Sequence, residues 1–263
     1  MTRLAADRVT VRRGGKAIVD AVSLALEGGQ FVALIGPNGA GKSTLLSALA
    51  GLLAPESGTV SLDGVPLARI ERRALARSRA YLPQGPRAEW PVSVERLVAL
   101  GLTPRLPAFG GLPDAMRKRV AEVLAQVDLA AHRDQPVTTL SGGELARAML
   151  ARALVGDPAV LLADEPLAGL DPRHALGSVA RLRGLADQGK LVVAAIHELP
   201  LAARYATHVA ALHQGRLVAF GPTARTLTAA LLRSVFDVDA RVAAAGTPAA
   251  TVDFTSPVAG ECE

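Results

Sequence analysis

The tightest constraint on this chain is a continuous apolar run, Phe31–Ile35 (FVALI), that leads straight into a glycine-rich loop. An uninterrupted apolar run of this length fits a strand covered on both faces. The loop, Gly36-Pro37-Asn38-Gly39-Ala40-Gly41-Lys42-Ser43-Thr44, matches G-x-x-x-x-G-K-[ST], and Lys42–Ala50 reads as a helix. Strand, loop and helix in that order form a phosphate cradle. The glycines let backbone N–H groups curl around a β-phosphate, and the helix N-terminus adds positive potential. Lys42 is expected to reach the β- and γ-phosphates and Ser43 to ligate Mg²⁺.

A second apolar strand, Val160–Ala163, ends in adjacent carboxylates, Asp164 and Glu165. Asp164 at the strand end can hold Mg²⁺ through water, and Glu165 one residue on can polarise an attacking water. A third motif, Leu140-Ser141-Gly142-Gly143-Glu144, opens a helix. Serine with glutamate three residues later is a capping box. The same Ser-Gly-Gly start is also a second anion site at a helix N-terminus. Two such sites in one chain either face one nucleotide or are exchanged between two chains.

Around these motifs the first half alternates short strand patterns with turns: Val9–Val11, Val22–Leu26, then Thr59–Leu62 with an Asp63-Gly64 turn before Val65. Ala80–Leu82 is a short strand stopped by Pro83. From about 85 to 156 the pattern turns helical: Val94–Leu100, a helix capped by Asp114 with Met116, Val120, Val123, Leu124 and Val127 on one face, and the helix at Ser141. Strands return at Val160–Ala163, Leu191–Ile196 and Val209–Leu212, separated by helices near 173–186 and 198–205. Alternating strands and helices imply a mainly parallel sheet. The fold class is α/β, with an N-terminal antiparallel β subdomain and a helical subdomain at about 85–156 inserted in the core. Residues 1–242 form the main domain, and the Ala/Thr/Pro/Gly-rich stretch 243–263 reads as an irregular tail.

In this chain of 263 residues aromatics are only 3%, which argues against a nucleic-acid surface of stacking platforms. A single cysteine, Cys262, excludes an intrachain disulfide or a cysteine zinc site. The net charge of +5 fits simple solubility, with an anionic partner, ligand or membrane surface as the alternative. The start has no apolar signal-like core, and no apolar run is long enough to span a bilayer.

Taken in order, these motifs resemble the ATP-binding-cassette (ABC) ATPase family, over about residues 4–240. The resemblance implies a P-loop NTPase core that binds ATP and Mg²⁺ through Gly36, Asn38, Gly39, Ala40, Gly41, Lys42, Ser43 and Thr44. It implies a Q-loop glutamine, Gln84 in YLPQG, which touches Mg²⁺ or water and senses a transport partner. Asp171 in Ala168-Gly169-Leu170-Asp171 is similar to the D-loop aspartate, and His197 after LVVAAI to the switch histidine that contacts the γ-phosphate. Catalysis would fall to Glu165, His197 and Gln84, with Ser43, Gln84 and Asp164 at the metal. Ser141, Gly142, Gly143 and Asp171 would complete a nucleotide site across a homodimer. The other histidines, His132, His174, His208 and His213, read as surface or packing residues. The chain departs from the family in four places. Leu145-Ala146-Arg147 follows the signature, Ala163 precedes the carboxylates, and Glu198 follows the histidine. The aromatic that stacks on adenine near the first hairpin is missing, and Arg12 or Arg13 stands in that region.

The phrases ARSRAYLPQ, WPVSVERLVALG, LADEPLAGLDPRHAL and GPTARTLTAALLRSVFDVDARV resemble importer ATPases for iron complexes: siderophores, haem and the related cobalamin systems. That implies an energising subunit, peripheral on the cytoplasmic face of the inner membrane. It would act on integral-membrane permease subunits and, indirectly, on a periplasmic or extracellular substrate-binding protein. An importer ATPase for zinc, manganese or molybdate is the alternative. A soluble non-transport ABC ATPase fits less well: only about 97 residues separate the P-loop from the signature, with no sustained heptads, and there is one cassette.

Arg13 or Arg12 stacking on the base would read a π-face and not the purine edge. GTP is therefore expected to support hydrolysis within roughly tenfold of ATP, about 1.4 kcal/mol. Replacing the stacking arginine by Tyr should tighten nucleotide binding. A hundredfold ATP preference, indifferent to substitution at both positions, would contradict this.

Overall fold

The computed structural model describes residues 1–85, 89–107 and 111–257. Strands β1 (Arg3–Arg13) and β2 (Lys16–Glu27) form an antiparallel hairpin whose inward residues, among them Val9, Val11, Val19, Val22 and Leu26, are buried. Next come β3 (Phe31–Ile35) and, after the glycine loop, α1 (Lys42–Leu49). Strands β4 (Ser57–Leu62) and β5 (Val65–Pro66) complete a four-stranded antiparallel sheet in the order β2-β1-β4-β5. Helix α2 (Arg72–Ser78), capped by Glu71, leads into β6 (Arg79–Leu82).

The helical stretch contains α3 (Val94–Ala99), α4 (Asp114–Gln126) and α5 (Gly142–Leu154). Asp114 does not cap α4. Pro113 is the cap residue and Asp114 the first helical one, where its charge still suits the positive helix end. Strand β7 (Val160–Asp164), α6 (Pro172–Asp187), β8 (Leu191–Ala195), α7 (Leu199–Tyr205), β9 (His208–His213) and β10 (Arg216–Pro222) follow. The main sheet runs β10-β9-β3-β8-β7-β6, parallel except for the antiparallel edge β10. Every residue of β3, β7 and β8 is buried, because both faces are covered. Alternation along β3 sends Phe31, Ala33 and Ile35 towards the core shared with the helical insert. Val32 and Leu34 face the core under α1 and the antiparallel sheet.

Two short helices, α8 (Thr223–Thr226) and α9 (Ala229–Phe236), precede a feature the sequence reading missed. The stretch 243–263 was expected to be an irregular tail. Strand β11 (Val238–Ala243) instead pairs antiparallel with β12 (Thr251–Pro257), and the remainder, with Cys262, lies outside the described residues. The hairpin is anchored. Ala250 is fully buried, its carbonyl accepts from Arg204 Nε at 2.9 Å, and Gly246 N–H donates to the Ala203 carbonyl at 2.8 Å.

Two loop glycines are required by close backbone approach. A Cβ at Gly36 would sit 2.2 Å from the Leu212 carbonyl oxygen, and one at Gly41, which has φ +99°, would sit 2.4 Å from that of Ile18. By contrast, a Cβ on Gly142 meets nothing within 4 Å. Gly41→Ala should therefore destabilise the protein by about 1–3 kcal/mol in urea unfolding, the range for overpacking a filled site. Gly142→Ala, in the first turn of α5, should change stability by no more than about 1 kcal/mol.

Candidate active site

Parallel pairing sets the geometry of the site. Leu34 pairs with Ala195, Ala195 with Asp164, and Leu82 with Ala163. One or two residues beyond this common level lie Gly36, His197, Glu165 and Gln84, so four separate segments empty onto one rim of the sheet. Ligands of open parallel sheets bind at this carboxyl-end rim.

At its centre Lys42 is buried, with Nζ donating to the carbonyls of Gly36 at 2.7 Å and Pro37 at 3.0 Å. Burial lowers its pKa, while the charges of Glu165 and Asp164 oppose that shift. Asp164 is 3% exposed, and its Oδ1 has no hydrogen-bond partner among the described residues. Burial raises its pKa; the Ser43 hydroxyl, Lys42 and His197 pull the other way. Glu165 takes a positive φ of 51° just past β7, and its Oε1 lies 2.7 Å from His197 Nε2. Asn38, Gly39 and Ser43 are exposed, whereas Gly36, Ala40, Gly41 and Thr44 are buried.

The second group lies elsewhere. Ser141 caps α5 in a full capping box: the Ser141 N–H donates to Glu144 at 2.8 Å and Glu144 N–H to Ser141 Oγ at 3.3 Å. Gly143 packs beside Gly169 and Leu170. Asp171 caps α6 through His174 N–H at 3.0 Å and also meets His174 Nδ1 at 2.6 Å. The expected signature and D-loop residues are thus neighbours. Among the described residues, no hydrogen bond or ion pair joins Ser141, Gly142, Gly143 or Asp171 to the loop 36–44. Gln84 is exposed. Arg12 is engaged, with Nη1 donating to the Gly15 carbonyl at 3.1 Å and Nε 3.5 Å from Glu56. Arg13 is exposed and makes no such contact among the described residues.

Two supports escaped the sequence reading. The turn between β9 and β10 buttresses the loop: Gly215 N–H donates to the Ala40 carbonyl at 3.1 Å, and Leu212 abuts Gly36. Tyr81 Oη lies 3.3 Å from Ser47 Oγ and so ties β6 to α1. Neither contact has a local sequence signal, because each joins residues far apart in the chain.

The donor set fits a Mg²⁺–nucleoside triphosphate. A Cβ at Gly36 or Gly41 would collide with the carbonyl of Leu212 or Ile18, so only glycine lets the loop take the tight curl from which backbone N–H groups can face phosphates. The orphaned carboxylate oxygen of Asp164, beside the Ser43 hydroxyl, has the hard-oxygen chemistry that Mg²⁺ prefers.

The ABC transporter family matches residues 19–168. The hemin import ATP-binding protein HmuV of Rhodopseudomonas palustris strain BisA53 is 41% identical over 255 residues, covering 93% of this chain and 92% of that protein. HmuV of Bordetella parapertussis is 41% identical over 250 residues, covering 92% and 94% respectively. Among solved structures, a dimeric ATP-binding cassette in a post-hydrolysis state with ADP and Pi is 26% identical, with a TM-score of 0.75, over 83% of this chain and 98% of that one. A chain from an inward-facing metal-chelate type ABC transporter shares the fold, with a TM-score of 0.81 at 22% identity over 97% and 98%.

The buried Asp164 gives a pH-dependent prediction. Its folded pKa lies above the ordinary 3.8. The cost of its charge is therefore absent at low pH and grows as pH rises through the folded value. In nucleotide-free protein, Asp164→Asn should raise the thermal midpoint at pH 7, with the gain shrinking towards pH 4. The same variant should lose at least about 100-fold in ATP turnover, if Asp164 holds the metal as its environment suggests.

Proposed function

This chain belongs to the ABC transporter family and is an ATP-binding ATPase of it; from that membership we propose that it energises uptake of haem or a related iron chelate through a membrane permease. The observation carrying the cargo is identity of 41–44% with hemin import ATP-binding proteins over about nine-tenths of the chain. An importer ATPase for zinc, manganese or molybdate remains the second reading only on the motif pattern.

In this reading the loop Gly36–Thr44 and Lys42 hold the phosphates. Ser43, Asp164 and Gln84 would hold Mg²⁺, which would supply charge neutralisation to the phosphates. Glu165 orients and deprotonates the attacking water. Support comes from the 2.7 Å contact with His197, which fixes the carboxylate, provided the Nε2 proton points to Glu165. The switch role of His197, which stands on the same rim two residues past β8, would bring it into contact with the γ-phosphate. Arg13 would stack on the base.

A homodimer is favoured because, among the described residues of one chain, no hydrogen bond or ion pair joins Ser141–Gly143 or Asp171 to the loop 36–44. A second copy supplies the missing half of each site, as the dimeric cassettes among the solved relatives illustrate. Among the described residues no helix is long and apolar enough to cross a membrane. In this reading translocation falls to integral-membrane permease subunits, with this chain peripheral at the cytoplasmic face and a periplasmic or extracellular binding protein engaged only through them; the import ATP-binding relatives support it.

Glu165→Gln keeps the shape of the side chain but loses the base. ATP turnover should fall at least about 100-fold, ATP binding should persist, and an ATP-dependent dimer should appear on size exclusion. For the cargo, a deletion strain should lose growth on haem as sole iron source and regain it with the parental chain but not with Glu165→Gln. Retained haem growth combined with lost molybdate, zinc or manganese uptake would overturn the cargo assignment while leaving the ATPase intact.

A further inference from the structure

Away from the nucleotide rim, a cavity of about 340 Å³ opens where α2 and β6 meet the 3-10 turn Leu100–Arg105 and the end of α5. Among the described residues four arginines line it, Arg77, Arg79, Arg105 and Arg152, and no carboxylate does. The lining is one-sided in the sequence as well. Residues 72–88, 96–113 and 145–156 together hold nine arginines and not one Asp or Glu. Of the acids flanking these stretches, Glu71 accepts from the N–H groups of Arg73 and Ala74 while also feeling the charges of Arg77 and Arg73, and Asp157 pairs with Lys190. None of the four lining arginines forms an ion pair among the described residues.

Backbone carbonyls hold two of the four in place. Arg77 Nε donates to Pro104 at 2.8 Å, and Arg105 Nη2 to Gly156 and, at 3.3 Å, to Arg77. Each guanidinium has five N–H donors, so most remain unused. Arg79 is half-buried, and its Nε is buried without a partner among the described residues. Burial pushes the Arg79 guanidinium down from its ordinary range, so its charge is carried at a cost that an anion would offset.

We propose that this cavity is a second anion site, distinct from the nucleotide site, that binds a phosphate monoester group through the converging forks of Arg77, Arg79, Arg105 and Arg152. One or two forks saturate a carboxylate, whereas a tetrahedral phosphate presents three or four oxygens to forks arriving from different elements. The volume sits at the low end for ligand pockets and admits phosphate with a small substituent. That group can come from a soluble phosphomonoester or from the headgroup of an anionic lipid. Occupancy bridges the α/β core, through α2 and β6, to the helical insert, through the 3-10 turn and α5. It thereby ties the strand leading to Gln84 to the helix that starts at Ser141.

The test uses the full chain carrying Lys42→Ala, which weakens phosphate binding at the nucleotide loop. Inorganic phosphate and glycerol 3-phosphate are titrated by calorimetry. Phosphatidylcholine vesicles with and without phosphatidic acid are tested by sedimentation. Saturable binding of one equivalent is expected from the soluble phosphates, from the phosphatidic acid vesicles, or from both, and the arm that responds identifies the source. Arg79→Ala with Arg152→Ala should weaken it at least tenfold. Arg79→Lys with Arg152→Lys keeps the charge and loses the forks, and should weaken it at least threefold even if the alanine pair fails to fold. Absence of saturable binding in both arms, binding unchanged by the lysine pair, or tighter binding of a glutamate-rich peptide than of phosphate would each overturn the proposal.

Discussion

Everything at the nucleotide rim depends on the parallel pairing of β6, β7, β8 and β3. Parallel strands point their carboxyl ends the same way, and the register Leu34–Ala195–Asp164 fixes how far each one reaches. Residues more than a hundred positions apart in sequence thus arrive at one level without any contact between them having to specify it. The two faces of β3 fill different cores, and a one-residue slip would exchange Phe31, Ala33 and Ile35 with Val32 and Leu34, so the side-chain volumes packed on each face oppose it. The chemistry is placed by the core, and the polar residues merely occupy the ends.

Those ends are electrostatically unresolved in the protein alone. Lys42 has lost water and sits on two carbonyls, while Asp164 is buried with an orphaned oxygen. Burial opposes both charges, lowering one pKa and raising the other, and their mutual attraction recovers only part of the cost. An apolar pair would make a more stable fold there. Preorganised charge of this kind gains its value only against a ligand that carries the complementary charges. The positive φ at Glu165 belongs to the same economy: a strained residue held by its surroundings, with His197 fixing the carboxylate.

The α/β class, the glycine loop, the paired carboxylates and the capping box were legible because each is a local pattern whose physics lies within about ten residues. What was missed is non-local. Nothing in Ala243–Ala250 announces a hairpin; β11 and β12 are held by Arg204 and Ala203 on α7, which local composition does not reveal. The buttress from Gly215 to Ala40 and the Tyr81–Ser47 contact join distant segments in the same way. Arg12 and Arg13 were indistinguishable as letters. The fold separates them by engaging Arg12 with Glu56, a residue on the approach to β4, while Arg13, equally exposed, makes no such contact among the described residues. Tail and arginine pair alike show tertiary partners deciding what composition leaves open.

The helical insert gives the molecule its second problem. Its last helix starts with the capping box at Ser141 and packs Gly143 against the turn after β7, beside Gly169 and Leu170. The proposed signature is therefore a near neighbour of the segment that follows Asp164 and Glu165, although among the described residues its exposed helix start does not bond to the loop that would hold the same nucleotide. A helix start with free N–H groups attracts an anion only if one is brought to it. Inside one chain nothing among the described residues does so. A second copy, presenting its own loop and triphosphate, would complete that geometry. The packing of Gly143 on the segment after Glu165 would then make engagement at one site felt at the carboxylates of the other, which is the physical content of coupling between two composite sites.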